Sequence, residues 1–144
     1  MKIRNIKIED AEHLIPLLDT LDYPNTAGFI QQKVQQIIEN PNEYCFVAED
    51  DQGKIAGFIS ISIILQIALQ GDFARIGYFA VAEGYRSQGV GQLLEEKCVE
   101  VAQERQCDRI ELHCAERRTR AQQFYYRQGY VESPKYLMKK QSVV

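Results

Sequence analysis

The first third of the chain predicts one strand followed by two helices. Residues 3–7 predict a short first strand. A helix is expected to begin near Asp10, whose carboxylate can accept hydrogen bonds from exposed backbone N–H groups. Asn25 or Thr26 can cap a second helix, and Pro41 predicts its end. Five apolar residues fall on one face of that helix: Phe29, Ile30, Val34, Ile37 and Ile38.

Three strand-like runs follow, at residues 44–49, 55–66 and 73–81. Residues 50–53 and 69–72 separate them and contain the aspartate and glycine that favour turns. Because the separations are short, the three runs predict an antiparallel meander.

The second half of the chain predicts a helix, a strand and another helix. Residues 89–106 have helical periodicity, and their expected buried stripe is Val90, Leu93, Leu94, Cys98, Val101 and Ala102. A strand is expected over residues 109–114, and a helix over 118–128 that ends at Gly129. The tail, residues 130–140, alternates loosely and predicts one or two closing strands. The order β-α-α-β-β-β-α-β-α-β predicts an α+β fold with one mixed sheet, in which the long step from 73 to 114 allows a parallel crossover.

Composition narrows the classes of protein to consider. A length of 144 residues with 45% hydrophobic content suits a single domain over residues 1–144. The net charge of −3, from charges of both signs, offers no general attraction to phosphate backbones, so no nucleic-acid partner is expected. No apolar run approaches the roughly 20 residues that span a bilayer, and the amino terminus lacks a secretory pattern. We therefore expect a cytoplasmic protein with no membrane partner.

The four cysteines predict neither a zinc site nor a disulfide framework. They are widely spaced along the chain and contain no Cys-x-x-Cys pair. We expect small buried thiols and no metal. These cysteines are Cys45, Cys98, Cys107 and Cys114.

The most informative segment runs from a strand at residue 79 through a loop into a helix at residue 94. Its centre is Arg-x-x-Gly-x-Gly, from Arg86 to Gly91. Gly89 and Gly91 remove side chains where a helix begins, so the backbone N–H groups of the first turn can reach a pyrophosphate. The helix dipole and Arg86 add positive potential there. The pattern predicts a phosphate cradle, and the alternative is a plain turn with a solvated Arg86; neither the dinucleotide fingerprint nor the Walker motif is present.

This segment resembles the acyl-CoA signature of the GNAT superfamily, in which a strand, an Arg/Gln-x-x-Gly-x-Gly/Ala loop and a helix follow in this order. Residues 121–130 are similar to the family's Ala-x-x-Phe-Tyr-x-x-x-Gly-Phe/Tyr segment. The resemblance covers nearly the whole chain and is most specific over residues 79–130. It implies a mixed, mostly antiparallel central sheet flanked by helices, with one parallel splayed strand pair, and acetyl-CoA as co-substrate. Residues 59–69 and 117–130 look most like small aminoalkylphosphonate and aminoglycoside N-acetyltransferases.

The resemblance also implies roles for particular residues. The backbone of Phe79 and Val81 is expected to pair with the pantetheine arm, and the Val81 N–H to polarise the thioester carbonyl. Tyr125 is expected to protonate the departing thiolate, and its alternative is a ring packed on the sheet. The pyrophosphate is assigned to Arg86 with the backbone of Ser87, Gln88, Gly89, Val90 and Gly91.

The general base stays open among Glu111, His113 and a water chain. Alternation along the strand predicted at 109–114 places Glu111 and His113 on one face, where the alternative is a solvated strand face. Some members of the family have a carboxylate where this chain has Tyr78.

Two other departures from the family are Glu83, in place of a common proline, and Arg118, in place of an asparagine that touches the cofactor arm. With Arg117 and Arg120, Arg118 forms a basic cluster that either meets an anionic group or is an exposed charge run.

These features predict acetyl transfer to the primary amine of a small molecule by direct attack in a ternary complex. Two alternatives remain: an enzyme that acetylates a protein or peptide amine, and a non-catalytic acyl-CoA-binding module. The apolar run 61–69 also suggests a homodimer that pairs along a sheet edge.

Overall fold

The computed structural model describes residues 1–133 and 136–142 and divides the chain into two compact units, Met1–Leu112 and His113–Val144. The first unit contains a five-stranded sheet whose strands lie in chain order. Its strands are β1 (Lys2–Asn5), β2 (Glu43–Glu49), β3 (Ile55–Ile64), β4 (Phe73–Val81) and β5 (Arg109–Leu112). Its helices are a 3₁₀ helix (Ile8–Leu14), α1 (Ile15–Thr20), α2 (Ile30–Glu39), a 3₁₀ turn (Glu83–Tyr85) and α3 (Val90–Glu104). The second unit contains α4 (Thr119–Arg127).

The predicted sheet topology is confirmed. Strands β1 to β4 pair antiparallel, and β4 pairs parallel with β5 after the crossover through α3. Only four residues of β4, Phe73–Ile76, have partners in β5. The two strands are therefore paired at one end of β4 alone, as in a splayed parallel pair.

A β-bulge at Gly77 interrupts β4 where its pairing with β5 stops. Ser60 of β3 opposes Tyr78, whereas Ile61 opposes Ile76, so Gly77 is the extra residue. The hydroxyl oxygen of Ser60 accepts a hydrogen bond from the Tyr78 N–H at 2.9 Å. A Cβ at position 77 would lie 3.1 Å from that oxygen, so the bulge favours glycine.

The sheet packs helices on both faces. One face carries Val47 and Phe58, which are buried with residues of the 3₁₀ helix, α1 and α2. Helix α3 covers the other face, since a Cβ at Gly57, next to Phe58, would meet Leu94 of α3 at 3.3 Å. Of the stripe predicted on α3, Leu93 alone is exposed.

The predicted cap of α2 is wrong. The helix begins at Ile30 with Phe29 at the N-cap position, and no described side chain caps it. Thr26 instead accepts through its backbone oxygen, from the N–H groups of Phe29 and Ile30 at 3.1 and 2.9 Å, and Asn25 has a positive φ of 66°. The Thr26 hydroxyl is buried and makes no hydrogen bond among the described residues, so Thr26 contacts the start of the helix through its backbone alone. Phe29 and Ile38 are exposed, whereas the end before Pro41 is confirmed.

The helix expected near Asp10 is 3₁₀ over its first seven residues and α-helical from Ile15. Pro16 lies in the first turn of α1 and has no N–H to donate to an earlier carbonyl, which explains the break. Asp10 does accept a backbone hydrogen bond, from the Lys7 N–H at 2.8 Å.

The closing strands predicted for residues 130–140 are wrong for the residues that the structure describes there, 130–133 and 136–140. Val131 and Leu137 are 85% and 84% exposed, so alternation without a partner strand did not produce pairing. Residues 134 and 135 lie outside the described residues. The end of α4 at Gly129 is confirmed by its left-handed φ of 95°. Among the described residues, no helix is both long and apolar enough to cross a membrane.

One buried polar network joins the start of the sheet to the 3₁₀ helix. Arg4 on β1 donates two hydrogen bonds to the carboxylate of Asp10, at 2.8 and 3.0 Å, and a third to Glu49 on β2 at 2.7 Å. These hydrogen bonds from Arg4 lower the pKa of Asp10. The Asp10 side chain is only 8% exposed, so water cannot replace its partners.

We predict that Asp10→Asn lowers the free energy of unfolding by about 2 kcal/mol at pH 7, because it removes the charge that Arg4 binds. Since the folded pKa of Asp10 lies below its unfolded value near 3.8, the native stabilisation is full above that value and is lost as the pH falls through the folded pKa. The difference between wild type and variant in urea denaturation should therefore shrink below about pH 4. Glu9→Gln, at the exposed neighbouring position, is the control and should change stability little.

Candidate functional site

The stretch of β4 beyond the bulge presents backbone groups on the side where β5 no longer pairs. The Ala82 N–H donates to the Ala56 oxygen at 2.7 Å, which makes these two residues a hydrogen-bonded pair of the antiparallel ladder. In such a ladder the hydrogen-bonded and non-hydrogen-bonded pairs alternate. The N–H and C=O of Val81, opposite Gly57, therefore point away from β3, and so do those of Phe79, opposite Ile59. Both predicted pantetheine-pairing residues face the β5 side of β4.

The loop after β4 ends at an uncapped helix amino terminus. Gly89 occupies the N-cap position of α3 with a left-handed φ of 78°. The first helical hydrogen bond runs from the Leu93 N–H to the Gly89 oxygen at 3.1 Å. The N–H groups of residues 90–92 thus precede any helical acceptor, and no described side chain caps them. Ser87 also has a positive φ, 66°, and Arg86 is exposed beside it. A helix amino terminus with N–H groups that have no helical acceptor can bind an anion.

Sequence reasoning missed the contact that anchors this loop. The hydroxyl of Tyr85 donates a hydrogen bond to the carboxylate of Asp50 in the β2–β3 turn. Asp50 also accepts from the backbone N–H groups of Gln52 and Lys54, at 2.9 and 2.8 Å. The hydrogen bond raises the pKa of Tyr85 and lowers that of Asp50. Asp50 carried a turn signal in the sequence, but nothing there indicated its tyrosine partner.

Tyr125 lies in α4 of the second unit and is well enclosed there. Its ring meets Phe124 and Tyr130 edge to face, with centroids 5.5 and 5.6 Å away. Burial raises the pKa of Tyr125 to about 12, the neighbouring Cys114 acts in the same direction, and Arg118 opposes it. Tyr125 is therefore a neutral hydrogen donor at any physiological pH.

The adjacent tyrosine has a different environment. Tyr126 is exposed, and its hydroxyl donates to Glu132 at 3.0 Å. Successive helical residues point in different directions, so these two tyrosines do not share a face of α4.

The two side chains considered as bases lie in different units. Glu111 on β5 accepts a hydrogen bond from Arg75 on β4 at 2.8 Å. His113 belongs to the second unit, where its ring stacks on Tyr136 with centroids 4.0 Å apart. Because β5 ends at Leu112, two residues earlier than predicted, the strand-face argument does not extend to His113. The choice of base stays open.

The basic cluster lies at the start of α4. Arg118 is the N-cap residue, and its N–H donates to the Ala115 oxygen at 3.0 Å. Its side chain is half-buried, whereas Arg117 and Arg120 are exposed.

The cysteines are free thiols, and the described residues contain no cluster of three or more His, Cys, Asp or Glu side chains that could hold a metal ion. Cys45 and Cys98 are buried, and burial raises the pKa of each to about 12, which leaves them unreactive. Cys107 and Cys114 are only half-buried, contrary to the expectation of buried thiols at all four positions.

Residues 8–130 match the model of the Acetyltransferase (GNAT) family. A protein of Bacillus subtilis (strain 168), whose name assigns it as a [ribosomal protein bS18]-alanine N-acetyltransferase, is 28% identical over 128 residues, 88% of this chain and 78% of that protein. Glucosamine-6-phosphate N-acetyltransferase from Arabidopsis thaliana has a similar fold, with a TM-score of 0.81, 22% identity and 98% coverage of both chains. An aminoglycoside N-acetyltransferase in complex with CoA has a TM-score of 0.80, 17% identity and coverage of 99% of this chain and all of that one.

The family match extends from the 3₁₀ helix of the first unit to Tyr130 in the second, and it includes both segments that carried the resemblance. This chain therefore belongs to the GNAT acetyltransferase family and is an N-acetyltransferase that uses acetyl-CoA.

Proposed function

We propose that this enzyme transfers the acetyl group of acetyl-CoA to a primary amine of a small molecule, by direct attack within a ternary complex. The observation that carries the donor half is the continuity of β4 with the amino terminus of α3. One strand edge with outward-facing amides leads, through the loop at Arg86, to free helical N–H groups. A donor with an amide-containing arm and a pyrophosphate fits this sequence of groups.

In this proposal a different set of residues binds each part of acetyl-CoA. Phe79 and Val81 pair through their backbone with the pantetheine arm, as an added strand would. The pyrophosphate is held by Arg86 and the backbone of Ser87, Gln88, Gly89, Val90 and Gly91. The Val81 N–H donates to the thioester carbonyl oxygen and stabilises the developing oxyanion, typically by roughly 3 kcal/mol.

The chemical step forms a C–N bond and breaks the C–S bond. The amine nitrogen attacks the thioester carbonyl carbon, a base or a water chain takes the amine proton, and the sulfur leaves as CoA thiolate. We assign Tyr125 as the general acid that protonates this sulfur. The pKa of a phenol, about 10, is above that of a thiol, about 8.5. Burial raises the pKa of Tyr125 and raises that of a thiol beside it in the same direction, so burial alone does not enlarge this difference.

Small amines are supported as acceptors by the names of the two structural relatives, which act on an aminoglycoside and on glucosamine-6-phosphate. The Bacillus subtilis relative, named for an alanine of a ribosomal protein, supports the second candidate, a protein or peptide acceptor. A non-catalytic acyl-CoA-binding module would keep Arg86 and the loop without needing Tyr125. A single domain over residues 1–144 is supported by a family match that spans both units. Free thiols suit a cytoplasmic location.

The predicted pairing of residues 61–69 along a sheet edge is wrong for residues 61–64, because they lie in β3, the central strand, which pairs with both β2 and β4. A homodimer formed in another way stays part of the proposal. Leu65 and Ile67, in the connection between β3 and β4, are 87% and 101% exposed and offer an apolar contact.

An acceptor screen tests the proposal as a whole. With acetyl-CoA as donor and release of free thiol as the signal, we expect turnover with polyamines, aminoglycosides or aminophosphonates, and slower turnover with peptides, including one that begins with alanine. Turnover of peptides alone would instead establish the second candidate. Tight binding of CoA without turnover of any acceptor would favour the non-catalytic acyl-CoA-binding module.

We predict that Arg86→Ala weakens acetyl-CoA binding by about tenfold, because one charge-assisted contact to the pyrophosphate is lost. Isothermal titration calorimetry should show no change for S-acetylpantetheine, which lacks the pyrophosphate. Lys33→Ala, on the exposed side of α2, removes an equal charge and should leave both affinities unchanged. Equal weakening of both donors would place Arg86 outside the phosphate site.

We predict that Tyr125→Phe lowers kcat by about 100-fold and leaves the affinity for acetyl-CoA within about twofold, because the hydroxyl acts only on the departing sulfur. Since the pKa of Tyr125 is about 12, its ionisation should cause no loss of wild-type kcat between pH 7 and 10. Tyr126→Phe is the matched control, since that hydroxyl binds only Glu132 in the described residues. If kcat of Tyr125→Phe is close to that of the wild type, Tyr125 is not the general acid.

A further inference from the structure

The loop between β4 and α3 has one hydrogen bond to a distant part of the chain. Of residues 83–88, Tyr85 is half-buried and the other five are exposed. The hydrogen bonds given by their backbone N–H groups, and that of the Gln88 side chain, are accepted by residues 82–84 of the same loop. Among the described residues, the Tyr85 hydroxyl alone donates outside the loop, to Asp50. This hydrogen bond therefore connects the loop to the hairpin of β2 and β3.

Asp50 is held in place by its own turn. Its Oδ1 accepts hydrogen bonds from the backbone N–H groups of Gln52 and Lys54, at 2.9 and 2.8 Å, and its Oδ2 accepts the one from Tyr85. The two carboxylate oxygens thus have separate partners. Because the turn binds Oδ1, the backbone of the hairpin sets the direction of Oδ2. Tyr85 therefore meets an acceptor whose position does not depend on the loop.

The hairpin end that carries Asp50 is itself anchored to the sheet. The Asp50 N–H donates to the Lys54 oxygen at 2.9 Å, which closes the turn. The preceding residue, Glu49, ends β2 and accepts a hydrogen bond from Arg4 of β1 at 2.7 Å. The acceptor of the Tyr85 hydroxyl is thus fixed on both sides.

The loop needs uncommon backbone angles to place its groups for an anion. Ser87 and Gly89 have positive φ values, 66° and 78°, and a left-handed backbone is less favourable for serine than for glycine. Arg86 precedes this stretch, and the N–H groups of residues 90–92 follow it. A hydrogen bond at Tyr85 reduces the number of conformations open to the loop and so favours this one.

We propose that Tyr85 and Asp50 are positioning residues of the donor site, whose hydrogen bond keeps the loop in the conformation that binds a pyrophosphate. Neither side chain needs to touch acetyl-CoA, because Tyr85 acts through Arg86, the next residue, and through the amino terminus of α3. This inference rests on the proposed assignment of the pyrophosphate to the loop. It adds that the turn between β2 and β3 helps to set the affinity for that group.

The inference predicts a loss of donor affinity without a loss of chemistry. When the binding-competent conformation of the loop is only partly populated, the apparent dissociation constant rises by the inverse of that fraction. We expect Tyr85→Phe, which removes only the hydroxyl, to raise the dissociation constant and the KM of acetyl-CoA by about tenfold and to leave kcat within about twofold. Calorimetry with S-acetylpantetheine, which has no pyrophosphate, should show no change.

Variants of the turn test the other half of the contact. Asp50→Ala should weaken acetyl-CoA binding to a similar extent, and adding Tyr85→Phe to it should weaken binding no further, because both changes break one interaction. Asp50→Asn can keep the turn through its oxygen and donate from its amide to the Tyr85 oxygen, so it should retain most of the affinity. Tighter binding in both Asp50 variants would show that Asp50 acts through its charge, and would overturn the inference.

Asp51→Asn is the matched control. It removes an equal charge from the neighbouring exposed residue of the same turn, whose carboxylate makes no hydrogen bond in the described part of the chain. Its affinity for acetyl-CoA should equal that of the wild type. Melting temperatures establish that each variant is folded.

Hydrogen exchange gives a readout that requires no turnover. In the ligand-free enzyme, the backbone amides of residues 86–92 should exchange faster in Tyr85→Phe than in the wild type or Asp51→Asn, and CoA should restore their protection. Exchange and affinity both unchanged in Tyr85→Phe would overturn the inference.

Arg86→Ala separates this inference from the proposed function. If Arg86→Ala weakens acetyl-CoA binding and the Tyr85 and Asp50 variants do not, the inference fails and the proposed donor site stands. If none of these variants weakens binding, the assignment of the pyrophosphate to the loop fails with it. Equal weakening of acetyl-CoA and S-acetylpantetheine by Tyr85→Phe would assign the contact to the strand edge rather than to the loop, which also overturns the inference.

Discussion

The organisation of the proposed donor site depends on where β4 stops pairing with β5. The parallel ladder holds Phe73–Ile76 and ends at the bulge, so the four residues of β4 after Gly77 have a ladder partner on the β3 side only. Each backbone N–H and C=O is a strong hydrogen-bonding group, and a strand edge presents them in a regular row. In this fold the edge is short and leads directly into the loop and α3. The ladder with β3 fixes the direction of the Val81 amide, and the break in pairing with β5 leaves the side that it faces without a ladder partner.

Two side-chain contacts hold the neighbouring segments in register with this edge. Tyr85 ties the loop after β4 to Asp50 in the β2–β3 turn, so the loop is fixed to the hairpin that flanks β4. Arg4 ties β1 to Glu49, at the end of β2 that leads into the same turn, and to Asp10 in the first helix. Both contacts join charged or polar groups that are distant in sequence. The Tyr85 hydroxyl contact ties the loop to the hairpin, whereas a Cβ at Gly89 would have no neighbour within 4 Å.

The elements that local signals determine were predictable from the sequence. Strands β2 to β4 follow alternating runs between turn residues, and Gly89 and Gly129 stand where left-handed backbone is required. The cap of α2 was not predictable, because the turn at residues 27–29 carries no distinctive signal. The tail also shows why alternation alone is weak evidence: a strand needs a partner edge, and the sequence does not state which edges are free.

The faces of β4 show the same limit at the candidate site. Uninterrupted alternation would place Arg75 on the face of Phe79, whereas the bulge places it on the face of Tyr78. The motif residues could be proposed because their backbone roles follow from glycine spacing and family resemblance. The alignment of Ser62, Arg75 and Glu111 across three strands could not, because only the register brings these residues together.

Donor recognition by backbone groups and acceptor recognition by side chains have different consequences for the family. In the proposal, backbone amides supply most of the contacts to the donor, and backbone geometry persists when many side chains change. Acceptor recognition falls to side chains, where one bulge or one substitution alters the pattern of charge. A fold can then be shared at 17–22% identity, as it is here, while side chains differ. For this reason the side chains around the open stretch of β4, rather than the glycine loop, are the features from which the acceptor of this enzyme is to be inferred.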